Sequence, residues 1–164
     1  MFKKILIFSF LYIPFPLFAQ IKNQDYKKMI DSLYNHDVPL ISVDSLKHLK
    51  GAYLLDTREE EEYKVSHLKN ARNVGFIWFD MRKVYDISKD ATIVVYGSVG
   101  VRSEKIGEKL LKDGYQHVYN LYGGIFEWNN EGNPIYQSHG IQTTEIHIHS
   151  SQWAKWVTRG TKIN

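Results

Sequence analysis

Apolar residues fall along this chain in short runs, each closed by glycine, proline or a polar pair. The clearest unit lies between Ala91 and Gly114. Ile93-Val94-Val95-Tyr96 is continuous and apolar, and Gly97-Ser98-Val99-Gly100-Val101 makes a tight loop. Arg102-Ser103 then opens a pattern in which Ile106, Leu110 and Leu111 recur at helical spacing until Asp113-Gly114. This predicts a strand buried on both faces, a loop at its mouth and a helix leading away. In open α/β sheets that mouth is where ligands bind.

The rest of the chain alternates in the same way. Tyr26, Met29, Ile30 and Leu33 predict an amphipathic helix over Asp25 to His36, followed by a brief strand at Val38 to Ile41. Ser42 caps a small helix from Val43 to Leu49, with Asp44 in its first turn. Ala52 to Leu55 forms a strand running into Asp56-Thr57-Arg58, and Glu59 to Lys64 the next helical turns, where Glu59-Glu60-Glu61-Glu62 reads as a solvated helix start favoured by the dipole. Ala71 to Val74 is a short strand. Gly75 to Lys89 lacks a period; its Phe76, Ile77, Trp78, Phe79, Met81 and Tyr85 read as satellite core, with Asp80 and Asp86 facing solvent. His117 to Leu121 is a strand, Gly123-Gly124 a turn and Ile125 to Asn130 a helix. The alternation predicts an α/β fold with a mostly parallel sheet and helices on both faces.

Beyond Pro134, Glu145, His147 and His149 share one face of a period-two segment. Two imidazoles and a carboxylate can ligate zinc, but that spacing in a tail favours a half-exposed strand or arm, and no metal or other cofactor is expected. Ser150-Ser151 caps a last helix in which Trp153 and Trp156 cover the core.

The 164 residues suit one domain of ordinary size. Lys3-Lys4, the apolar run Ile5 to Phe18 and Ala19 read as a secretory signal at 1–19, with an uncleaved anchor as the alternative. Without Lys3 and Lys4 the formal charge falls from +3 to +1, and no basic, aromatic-interleaved surface implies a nucleic-acid partner. Cysteine is absent, which removes thiol nucleophiles, thiolate ligands and redox pairs.

Gly97 and Gly100 permit backbone angles that let successive N–H groups converge, and the helix start adds partial positive charge. Gly97, Ser98, Val99, Gly100, Val101, Arg102 and Ser103 thus outline an anion-binding loop, although a plain strand-to-helix turn has the same composition. There is no Lys-Ser/Thr after the last glycine and no G-x-G-x-x-G spacing.

Leu54-Leu55-Asp56-Thr57-Arg58, Glu62-Tyr63, Ser66-His67 and Ala71-Arg72-Asn73 resemble the motifs of a single rhodanese domain, the sulfurtransferase module. The likeness continues through Val94-Val95-Tyr96, Gly100-Val101-Arg102-Ser103, Gly114 to Leu121 and Gly123-Gly124-Ile125-Phe126-Glu127-Trp128. It spans about Pro39 to Pro134, with Ser66 where the family usually has glycine. The resemblance implies a five-stranded sheet and divides the chain into a helical segment at 20–38, a rhodanese-like domain at 39–136 and a C-terminal extension at 137–164. It also implies an active-site loop that begins with a catalytic cysteine, and here that position is Gly97.

Glycine cannot carry a persulfide, and no other cysteine can replace it. Ser98 has no adjacent histidine base in the sequence. Asp56 and Arg58 match a pair that braces the family's site, and read most simply as an ion pair or caps at a strand end. Two classes follow. One is an exported, catalytically inactive domain that binds a protein or a small anion such as thiosulfate, sulfate or phosphate; the other is a sulfurtransferase-type enzyme working with a partner's thiol, or a hydrolase at the same pocket. For the signal reading, mature protein should begin at Gln20 and fractionate outside the cytoplasm, periplasmic or extracellular. N-terminal sequencing that finds Met1 on soluble cytoplasmic material would exclude export.

Overall fold

The computed structural model describes residues 21–164; the expected signal segment lies outside the described residues. The chain forms α1 (Gln24–Asp31), β1 (Leu40–Ile41), α2 (Val43–His48), β2 (Tyr53–Asp56), α3 (Glu60–Val65) and β3 (Arg72–Asn73). After a 3-10 turn at Met81–Val84 come β4 (Thr92–Tyr96), α4 (Val101–Lys112), β5 (His117–Leu121) and α5 (Gly124–Asn130). The C-terminal part holds β6 (Ile135–Tyr136), β7 (Gln142–Thr143), β8 (Glu145–His147), a 3-10 helix at Ser151–Trp156 and β9 (Thr161–Ile163).

β1-β5-β4-β2-β3 is the order of a five-stranded sheet, and every pairing in it is parallel. Alternation along β4 divides the core. Ile93 and Val95 face a cluster with Leu55, Ile106, Leu110 and Val118. Val94 and Tyr96 face the other side, where Tyr26, Ile30 and Tyr34 from the N-terminal segment meet Ile146, Ile148 and Val157 from the C-terminal part. The two flanking segments therefore share one core layer; Tyr26 and Trp156 lie with ring centroids 5.5 Å apart. The extension is built into the fold: β7 pairs antiparallel with β6, and β8 pairs parallel with β9.

Several local expectations change. The satellite core is incomplete, because Ile77, Trp78 and Tyr85 are 68%, 83% and 66% exposed while only Val84 and Ile87 of that connection are fully inside among the apolar cluster. Asp80 pairs with Arg82, and Asp86 accepts from Nη1 and Nη2 of Arg72 at 2.6 and 2.8 Å. The last helix is a 3-10 turn whose Ser150 makes no side-chain cap. Short 3-10 turns satisfy i to i+3 bonds where a full helix has too little chain to propagate.

Glu127, buried in α5 beneath the N-terminal segment, has a carboxyl pushed up to about 7 by burial and then by the charge of Glu131, with Lys22 opposing. A carboxyl raised above its unfolded value stabilises the fold most below about 4.5, and that advantage is lost as pH rises through about 7. Up to about 3 kcal/mol is at stake. Glu127→Gln should therefore gain stability over wild type at pH 8 and little at pH 4, read from urea midpoints at each pH. An equal difference at both would exclude this account.

Candidate functional site

The parallel strands deliver the ends of β2, β4 and β5 to one edge, and the loop from Gly97 to Gly100 sits in the middle of it. Its four carbonyl groups are all engaged by neighbours. Gly97 O accepts the Ile125 N–H at 2.9 Å, and Ser98 O accepts that of Phe126 at 3.1 Å. Val99 O accepts the Tyr34 hydroxyl at 2.6 Å, and Gly100 O accepts the Glu104 N–H and Asn120 Nδ2–H, both at 3.0 Å. By contrast, among the described residues no protein acceptor takes the N–H groups from Gly97 to Ser103.

Two glycines make this packing possible. Gly100 has φ +100°, and a Cβ there would lie 1.8 Å from Tyr34 Oη; Gly124 has φ +60°, and its Cβ would lie 2.4 Å from Gly97 O. Gly97 itself is different. Its φ lies outside the left-handed region, and an added Cβ would meet Thr57 Oγ1 at 3.4 Å, Ser103 Oγ at 3.6 Å and Ser103 N at 3.8 Å, ordinary contact distances. A Cβ would therefore fit at this buried position in ordinary contact, with Thr57 and the first turn of α4 as its nearest neighbours.

Arg102 does not project freely. Its Nη1 and Nη2 donate to Glu62 Oε2 and Oε1, both at 2.7 Å, and Nη2 also reaches Ser98 Oγ at 3.0 Å. Ser98 Oγ donates to Glu62 Oε1 at 3.2 Å. Glu62 is 3% exposed, so the solvated reading of the four glutamates fails at this one. As the third residue of α3 it also closes a capping box with Glu59, accepting the Glu59 N–H at 3.1 Å. Burial pushes its carboxyl up, but Arg102, with help from Arg58 and the Glu59 N–H, outweighs this and holds it at about 2.

Asp56 and Arg58 form the buried ion pair the sequence suggested. Arg58 Nη2 lies 2.6 Å from Asp56 Oδ2 and donates at 2.6 Å to Ser66 O, while the Arg58 N–H caps Asp56 Oδ1 at 2.9 Å. Both side chains are 0% exposed, and Arg58 Nη1 has no acceptor among the described residues. Burial opposes the guanidinium charge, and the Asp56 carboxylate more than restores it. This pair anchors the strand end and the Ser66 turn.

Sequence reasoning missed the contribution of the extension. Ile146 and Ile148 turn into the core, which puts Glu145, His147 and His149 on the opposite face as expected, but that face approaches Glu62. His149 Nδ1 lies 3.8 Å from Glu62 Oε1, and His147 Nδ1 accepts the His149 N–H at 3.0 Å. Burial lowers the His147 pKa, against the pull of Glu62. No group of these side chains is placed to hold a metal ion among the described residues. His149 and Trp153 then roof a cavity of about 210 Å³ over the loop. The period-two pattern was the only signal of this role; it identified a face without saying what that face meets.

Residues 42–131 match the family model described as "Rhodanese-like domain". A relative named tRNA uridine(34) hydroxylase, from Buchnera aphidicola subsp. Acyrthosiphon pisum (strain Tuc7), is 35% identical over 88 residues, covering 51% of this chain and 27% of its own length. The chain thus spans about a quarter of that relative. Among solved structures, a rhodanese-related protein from Thermoplasma volcanium is 27% identical with TM-score 0.52, over 59% of this chain and 96% of its own. A rhodanese-like domain protein from Staphylococcus aureus is 25% identical with TM-score 0.52, over 61% and 98%. With its five-stranded parallel sheet, its loop at the end of β4 and a family match over more than half its length, the chain belongs to the rhodanese-like domain family.

Proposed function

We propose that this is an exported rhodanese-like domain without sulfurtransferase chemistry of its own, which binds a small anion, or a protein presenting one, non-covalently at the mouth of β4. One observation carries this reading: Gly97 stands at the family's cysteine position in a chain with no cysteine, while the N–H groups around it remain without protein acceptors. Backbone donors next to the first turn of a twelve-residue helix favour negative charge. The loop N–H groups without protein acceptors support one alternative, in which a partner's thiol supplies the sulfur nucleophile.

Catalysis should fail for want of a nucleophile rather than for want of a pocket. Purified wild type is expected to show no thiosulfate-to-cyanide sulfur transfer. Given thiosulfate, Gly97→Cys should take its outer sulfur and release sulfite, giving a persulfide detectable by mass spectrometry, because the Cβ fits 3.8 Å from Ser103 N and the nearby N–H groups should hold the thiol pKa below about 8.5. Wild-type turnover that survives removal of contaminating enzymes would overturn the inactive reading. Absence of any persulfide in Gly97→Cys would show that the loop no longer activates sulfur.

Anion binding is tested separately. Sulfate should bind in the millimolar range, about −4 kcal/mol, and shift amide resonances between Gly97 and Ser103. Because Glu62 occupies both Nη groups of Arg102, Glu62→Gln should tighten binding several-fold by releasing that charge. Arg102→Ala, which leaves Glu62 unpaired beside the loop, should abolish it. If no amide in the segment moves, the anion reading falls.

A further inference from the structure

The cavity over the loop is not simply the family's site seen in another chain. Leu33 comes from the N-terminal segment and His149 and Trp153 from the extension, all outside the matched residues 42–131. Leu33 is 41% exposed although α1 beside it packs into the core, because its side chain faces this hollow. Leu33, Val99, Val101 and Trp153 give apolar walls, and Ser98, Arg102 and His149 make one end polar. The volume of about 210 Å³ equals roughly the share of seven waters, which suits a body of about eight to ten non-hydrogen atoms.

The polar end limits the charge that can enter. Arg102 is balanced by Glu62 through both Nη groups, yet among the described residues nothing accepts from its Nε–H. A single negative group can use that donor and the loop amides. A dianion would face the Glu62 carboxylate, which stays charged well into acid. Inorganic oxyanions also leave the four apolar walls unused.

We propose that this cavity binds a small organic monoanion, with its carboxylate or sulfonate toward Arg102 and the loop and its apolar body between Leu33 and Trp153. The proposal rests on the anion reading above and names the ligand class. On this account, the flanking segments supply selectivity for the apolar body, and the rhodanese-like core supplies recognition of the charge.

Benzoate, benzyl alcohol and sulfate would be titrated into the full protein, with affinities read from amide shifts. Benzoate should bind at least about tenfold more tightly than either of the others. Trp153→Ala should cost benzoate about tenfold and leave sulfate unchanged. Leu33→Ser, at an exposed position that keeps the fold intact, should cost benzoate about threefold. Sulfate binding as tightly as benzoate, with neither variant changing benzoate, overturns this proposal and leaves the anion reading standing. Benzyl alcohol matching benzoate also overturns it, since the charged head would then be unrecognised. Silence from both anions ends both readings.

Discussion

The site depends on how the loop after β4 is fastened. Its four carbonyl oxygens are taken by several parts of the chain: α5 holds Gly97 and Ser98, Tyr34 holds Val99, and Asn120 and α4 hold Gly100. A peptide group whose carbonyl is fixed has its N–H direction fixed as well, so these outer bonds set the inner donors without any side chain at Gly97. The loop is therefore held by its carbonyl bonds although Gly97 offers no side chain to fasten it. Asn120 is itself held by Ser103, whose hydroxyl lies 2.7 Å from its Oδ1, so β5 and α4 brace the loop from below.

Charge at the site is balanced in two layers. Asp56 and Arg58 lie fully inside and tie β2 to the Ser66 turn; Glu62 and Arg102 lie nearer the surface and tie α3 to α4. Buried pairs add little net stability after desolvation, but removing one partner strands the other. Arg102 is therefore better described as half of a clamp than as a free anion receptor, and the donors left for a ligand are mainly main-chain groups. The pair also explains why Glu62 differs from its three neighbours in sequence: only the third position of α3 faces inward and meets both the capping N–H and the guanidinium.

Much of this was legible in the sequence where short-range rules act. Strand, loop and helix between Thr92 and Lys112 follow from apolar run, glycine and helical period, and the ordered motifs identified the family and the empty cysteine position. Helix α1 ended earlier than the apolar stripe suggested, because the chain after Asp31 turns to bring Tyr34 onto the loop. Long-range contacts were not legible. Four consecutive glutamates carry no sign of which one is buried, and the exposed Ile77 and Trp78 look like core residues to any rule that reads hydrophobicity alone. Nothing local indicates that His149 and Trp153 would cross back to Val99 and Arg102.

Those late contacts bear most on function. Tyr34, beyond the end of α1, lies on one side of the loop and the extension on the other, both rooted in the same apolar layer as β4. Burying Ile146, Ile148 and Val157 fixes the extension firmly enough that the residues facing the loop are positioned by packing rather than by their own weak contacts. A cover held in this way is costly to displace, so what reaches the loop must fit beneath it. The absence of cysteine and the presence of the cover therefore bear on the site in the same direction. The first leaves no thiol for covalent capture, which needs only one reactive atom, and the second adds shape, on which the proposed non-covalent binding would depend.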